Sequence, residues 1–101
     1  MRALQNKAKQ LDNFVSSKTG KTQDAYAITT NIAAEVGELC DEVIGLEGDR
    51  IEDTNYNDKN GTAKEIVDVI YNLMRLANHY NIDIEEHFNK RLNAIQKKFE
   101  K

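Results

Sequence analysis

Apolar positions recur every three to four residues through most of this chain, a spacing that predicts helices rather than strands. Leu4, Ala8, Leu11 and Val15, with Phe14 beside them, form one stripe and place a first helix at about Arg2 to Ser16. Ser16 to Thr22 reads as a break. Ile28, Ile32, Val36, Leu39 and Val43 mark a second helix from about Gln23 to Ile44, with Thr22 as its N-cap. The segment from Gly45 to Gly61 is polar and aperiodic, and it reads as a long loop. Ile66, Val69, Ile70, Leu73, Leu76, Ala77 and Tyr80 mark a third helix from about Thr62 to Tyr80. After a short turn, Asp83 caps a fourth helix, about Ile84 to Phe99, and Glu86 completes a capping box. Its apolar positions are Phe88, Leu92, Ile95 and Phe99. The expectation is a single all-α domain over residues 1–101, built as a four-helix bundle.

Composition agrees with long helices, since the chain has no proline and only five glycines. The net charge of -3 comes from 14 basic and 17 acidic residues, and no basic stripe offers a nucleic-acid surface. The pair Lys97-Lys98 closes a helix, where cations suit the dipole. No stretch approaches the roughly 20 apolar residues of a membrane span, and the N-terminus has no signal-peptide pattern. The single cysteine, Cys40, reads as a small core residue in a reduced, cytoplasmic setting.

Charge placement changes the picture more than charge total. Glu35-Val-Gly-Glu38 and Glu65-Ile-Val-Asp68 are two acid-x-x-acid steps on successive predicted helices. Residues three apart share a helix face, so each step aims two carboxylates at one spot. If the two helices pack together, four carboxylates converge. Like charges about 5 Å apart at an effective dielectric near 20 repel by roughly 3 kcal/mol per pair. A hard divalent cation relieves that repulsion, and an all-oxygen donor set favours Mg²⁺, Mn²⁺ or Ca²⁺. On helical spacing Asn31, Glu35, Glu38 and Glu42 form one narrow stripe, with the main apolar arc on one side and Ala27 and Ala34 on the other. Glu65, Asp68, Asn72 and His79 form the matching stripe on the third helix, while Lys64, Tyr71, Arg75 and Asn78 fall in a more exposed sector. Gly37 costs helix stability where it stands, so a close approach by a backbone or ligand is expected there.

Ile32-Ala-Ala-Glu35-Val-Gly-Glu38-Leu, Lys64-Glu65-Ile-Val-Asp68-Val-Ile-Tyr71 and the segment from Leu76 to Glu86 resemble the MazG-type nucleotide pyrophosphohydrolases of the all-α NTP pyrophosphatase superfamily. The resemblance covers the chain from about Gln23 to its end and carries that family's ordered pair of motifs, ExxE and then ExxD. It implies Mg²⁺, or Mn²⁺, held by Glu35, Glu38, Glu65 and Asp68, and cleavage of a nucleoside triphosphate between its α- and β-phosphates. Glu38 and Glu35 are the catalytic candidates, with Glu38 the acceptor of a water proton. Asn31, Asn72, Lys90 and Asn93 are the substrate-binding candidates.

The chain departs from the family at several points. Ala34 stands where many members carry a second glutamate. Lys90, Asn93 and Lys97-Lys98-Phe99 only approximate the usual phosphate-meeting pattern. There is no tryptophan to stack a base, which leaves Tyr26, Tyr56 and Tyr71 as substitutes. A phosphoribosyl-ATP pyrophosphohydrolase and a catalytically silent helical binding module are the alternative readings. The broad apolar arcs of the second and third helices exceed what two amphipathic neighbours cover, so a homodimer or homotetramer is expected.

Overall fold

The computed structural model describes residues 1–49 and 59–100. The fold is all-α: four α-helices and no strand occur among the described residues. Helix α1 spans Arg2–Thr19, α2 spans Ala25–Ile44, α3 spans Lys59–His79 and α4 spans Ile84–Phe99. No helix is long and apolar enough to cross a membrane.

Local chemistry sets the boundaries. Helix α1 runs past Ser16 because two hydroxyls bond back along it, Ser17 Oγ to the Phe14 carbonyl at 2.7 Å and Thr19 Oγ1 to the Val15 carbonyl at 3.0 Å. Gly20 ends it at φ 70°, a left-handed position that glycine takes without a Cβ clash. The N-cap of α2 is Asp24 rather than Thr22. Its carboxylate accepts from the Ala27 amide at 2.9 Å, satisfying an N–H that the helix itself leaves free. Beyond Ile44 the chain continues as a wider π-type turn over Gly45–Asp49, so the loop expected from Gly45 begins with helical structure. Helix α3 starts at Lys59, before the expected Thr62. The rest of the expected loop, residues 50–58, lies outside the described residues. Helix α3 closes with Asn81 at φ 55°, and the Ile82 amide donates to the Ala77 carbonyl at 2.9 Å. Asp83 caps α4 as expected, accepting from the Glu86 amide at 3.4 Å. Glu86 itself pairs with Lys90 at 2.9 Å.

The chain divides into two compact units. One comprises Met1–Lys21 with Met74–Lys101, and the other comprises Thr22–Leu73. Helix α3 contributes to both.

In the first unit a polar anchor joins α1, the end of α3 and the start of α4. Gln5 is buried, and its Nε2 donates to Asn78 Oδ1 at 3.2 Å and to the Ile82 carbonyl at 2.9 Å. Its Oε1 accepts from the Ile84 amide at 3.0 Å, and Asn78 Nδ2 donates to the Gln5 carbonyl at 3.0 Å. Ala8, Met74 and Ala77 are buried in the same unit. Arg2 pairs with Asp83, and Arg75 Nε on α3 pairs with Asp12 on α1 at 2.7 Å.

The apolar stripes form as expected, but most of their residues are not closed off from water. Leu4, Leu11, Phe14, Val36, Val43, Ile66, Ile70, Leu73, Phe88, Leu92 and Phe99 are all classed as exposed. Cys40 is exposed too, which corrects its expected place in the core.

Replacing Gln5 with leucine leaves a buried amide and carbonyl without partners, which costs about 2 kcal/mol. Chemical denaturation should show that loss with no change in helix content before unfolding. A Gln5→Leu protein as stable as the parent removes the anchor from this account.

Candidate metal site on α2 and α3

The second unit holds the carboxylates. Helical spacing puts Glu35 and Glu38 one turn apart on α2, and Glu65 and Asp68 one turn apart on α3. Oxygen atoms of Glu35, Glu38 and Glu65 lie within 4.8 Å of one another. Glu65 is buried, Glu35 is partly buried and Glu38 is exposed, so the cluster opens to solvent on one side.

Several oxygens there have no protein donor. Glu35 Oε2, Glu42 Oε2, Glu65 Oε2 and Thr62 Oγ1 are buried atoms without a hydrogen-bond partner among the described residues. Unpartnered buried carboxylate oxygens are costly. They are also the donor type that Mg²⁺ and Mn²⁺ accept. The residues present therefore fit a hard divalent cation.

The protonation of Glu35 carries the same strain. Its carboxyl is pushed up to about 7 from 4.5, first by removal from water and then by the neighbouring Glu38 charge. Hydrogen bonding with Glu38 and Glu65 and the Asp68 charge add to the shift. A carboxyl that keeps its proton can share it with an adjacent carboxylate, which removes one negative charge from the group.

Lys64 supplies the other relief. Its ammonium lies 3.0 Å from Asp68 Oδ2 and 3.4 Å from Glu65 Oε1. These acidic partners, Asp68 first, hold the Lys64 pKa above its ordinary value. Asp68 thus faces Lys64, and its charge is felt at Glu35, while the tight three-oxygen group consists of Glu35, Glu38 and Glu65.

The remaining candidates are more scattered. Asn72 is buried, and its Nδ2 donates to the Asp68 carbonyl one turn back at 2.9 Å. Asn31 Nδ2 donates to Gln23 Oε1 at 2.9 Å. Lys90 and Asn93 are exposed on α4, in the other unit, and Lys90 pairs with Glu86. Tyr26 is 85% exposed, Tyr71 is half-buried on α3, and Tyr56 lies outside the described residues. Among the described residues nothing comes within 4 Å of a Cβ built on Gly37, so the expected close approach is not made by them. The close approach occurs at Gly61 instead, where such a Cβ would meet Glu42 Oε2 at 2.8 Å.

Lys64, Glu42 and Thr62 are the residues that spacing alone left unassigned. Their signals were present: Lys64 stands four residues before Asp68, and Glu42 stands four after Glu38 on the same stripe. No protein-family model, curated protein or solved structure matches this chain.

The raised Glu35 carboxyl has a signed consequence for stability. Its folded pKa of about 7 lies above its ordinary 4.5, so between those values the native state binds more protons than the unfolded chain. The stabilisation is complete below the lower value and is lost as pH rises through the upper one. In chelator, the melting temperature should fall as pH rises from about 4.5 to 7, and Glu35→Gln should flatten that slope. An identical slope in parent and variant would falsify this assignment of the shift.

Proposed function

We propose that this protein is a metal-dependent nucleoside triphosphate pyrophosphohydrolase of the MazG type. Its products are a nucleoside monophosphate and pyrophosphate, and its role is cytoplasmic housecleaning of the nucleotide pool. The observation that carries this reading is the convergence of Glu35, Glu38 and Glu65 oxygens from two helices, with buried oxygens that have no hydrogen-bond partner among the described residues. The order of the two acidic motifs supports it independently.

In this reading Glu35, Glu38, Glu65 and Asp68 hold the cation, Mg²⁺ or Mn²⁺. A bound divalent cation offsets triphosphate charge and makes a water more acidic. The chain's own residues do the rest. Glu38, the most exposed of the three clustered carboxylates, accepts the proton of the attacking water. Glu35, whose carboxyl is pushed up to about 7, would release its proton to solvent on serving as a ligand. Lys64, whose ammonium stands against Asp68 and Glu65, would meet the negative charge of the substrate there. Asn72, bonded to the turn that carries Asp68, holds that part of α3 in place. Active protein is a homodimer or homotetramer.

Pyrophosphate release from a panel of nucleoside triphosphates with Mg²⁺ tests the activity directly. Monophosphate and pyrophosphate in equal amounts are expected. Orthophosphate as the first product, or no product from any triphosphate, overturns the reading.

Glu38→Gln and Asp68→Asn should each abolish nearly all hydrolysis while the protein stays folded, because the amides keep the shape and lose the charge. Without divalent cation, Glu38→Gln should melt no lower than the parent, since it removes a repelling charge, whereas Asp68→Asn also gives up the Lys64 ion pair. Activity within a few-fold of the parent in either variant removes that residue from the ligand set.

Mg²⁺ should raise the melting temperature well beyond what Na⁺ does at equal ionic strength. A ligand at 100 times its dissociation constant that binds only the folded state adds about 2.7 kcal/mol. Equal melting temperatures in the two salts would argue that no cation site is preformed.

A further inference from the structure

Helix α2 carries no base between Ala25 and Ile44, where its ionic side chains are Glu35, Glu38, Asp41 and Glu42. The ammonium that stands against the carboxylates comes from α3. Lys64 Nζ lies 3.0 Å from Asp68 Oδ2 and 3.4 Å from Glu65 Oε1. Helix stability alone does not account for that placing. Successive residues on a helix point in different directions, so reaching Glu65 requires the Lys64 stem to turn back towards the cluster. A lysine four residues before an acid is also the weaker order for a helix pair. Glu65 is buried, and its Oε2 has no hydrogen-bond partner among the described residues. The ammonium thus meets the cluster at its most buried member.

The same charge works against any metal ion that these carboxylates hold. Mg²⁺ binds oxygen at about 2.1 Å, so an ion on either contacted oxygen stands within about 6 Å of the ammonium if Lys64 keeps its place. Charges of like sign at that range repel, and solvent screens them only in part. If Lys64 instead swings aside, its ion pairs with Asp68 and Glu65 are lost. In both cases the ion binds more weakly than it would without Lys64. The side chain is 68% exposed, which keeps the effect moderate.

We propose that Lys64 is a brake on cation affinity, stabilising the metal-free cluster and weakening the hold of Glu35, Glu38, Glu65 and Asp68 on a divalent ion. It rests on the cation site of the proposed function and lies wholly within the unit Thr22–Leu73. The acids of that unit can pack before any ion arrives because the ammonium is already there.

Calorimetric titration with MgCl₂ and MnCl₂, beside melting curves in the same salts, tests the brake. Lys64→Gln and Lys64→Met should bind the ions about fivefold tighter than the parent, the scale of an exposed charge pair. Lys64→Arg keeps the charge and should stay close to the parent. A side chain that merely supported the site would show the opposite sign, since its loss would weaken binding. The gain should shrink as salt rises from about 0.01 to about 1 M, where the Debye length falls from about 30 to about 3 Å. In chelator the two neutral variants should melt below the parent, and Mg²⁺ should narrow that gap. Binding by both neutral variants that is no tighter than the parent's overturns the brake and leaves the cation site standing. So does a Lys64→Arg protein that binds as tightly as they do, or a gain that salt leaves unchanged. No binding by any of the four proteins overturns the brake and the site together.

Discussion

Mutual repulsion among carboxylates on α2 and α3 is the constraint around which the second unit is arranged. Glu35, Glu38 and Glu65 bring oxygens within 4.8 Å of one another, and part of that cluster is shielded from water. At that range each like-charged pair costs on the order of kilocalories. The chain meets the cost in two visible ways. Glu35 holds its proton to about pH 7, and Lys64 places its ammonium against Asp68 and Glu65. Both reduce the negative charge of the cluster without cancelling it, since Glu38, Glu65 and Asp68 face the one ammonium of Lys64. Among the described residues no other group donates to the buried Oε2 atoms of Glu35 and Glu65.

A different constraint governs the first unit. There the polar anchor of Gln5 and Asn78 fixes where α1, α3 and α4 begin and end relative to one another. Hydrogen bonds of this kind specify geometry well but bury little apolar surface. Leu4, Leu11 and Phe14 on α1 and the whole stripe of α4 stay accessible. Hydrophobic burial is the main favourable term in folding, and this unit takes little of it from those stripes.

The sequence by itself determined the helices and the placing of the acids. Periodicity found all four helices, and Asp83 and the last residue of α4 were legible because capping is a local interaction between neighbours in sequence. Glu35 with Glu38, and Glu65 with Asp68, were legible for the same reason: a helix turn is fixed geometry. Boundaries were less legible where side chains compete locally. Thr22 and Asp24 both suit an N-cap, and only the chain's path chose Asp24. Ser17 and Thr19 extended α1 by bonding to its own carbonyls, a rotamer choice that composition does not reveal.

Tertiary structure decided what the stripes meet. An apolar stripe states that a face prefers cover, but not whether the cover comes from the same chain, and here Cys40, Val36 and Leu92 remain exposed within it. The acid-x-x-acid steps predicted convergence if the helices packed. Only the packing put Glu65 among the α2 glutamates, brought Glu42 against Gly61 and paired Arg75 with Asp12 on α1. Sequence spacing fixes direction around one helix axis. Distance between two helices depends on how their side chains fit together, and that is settled only when they pack.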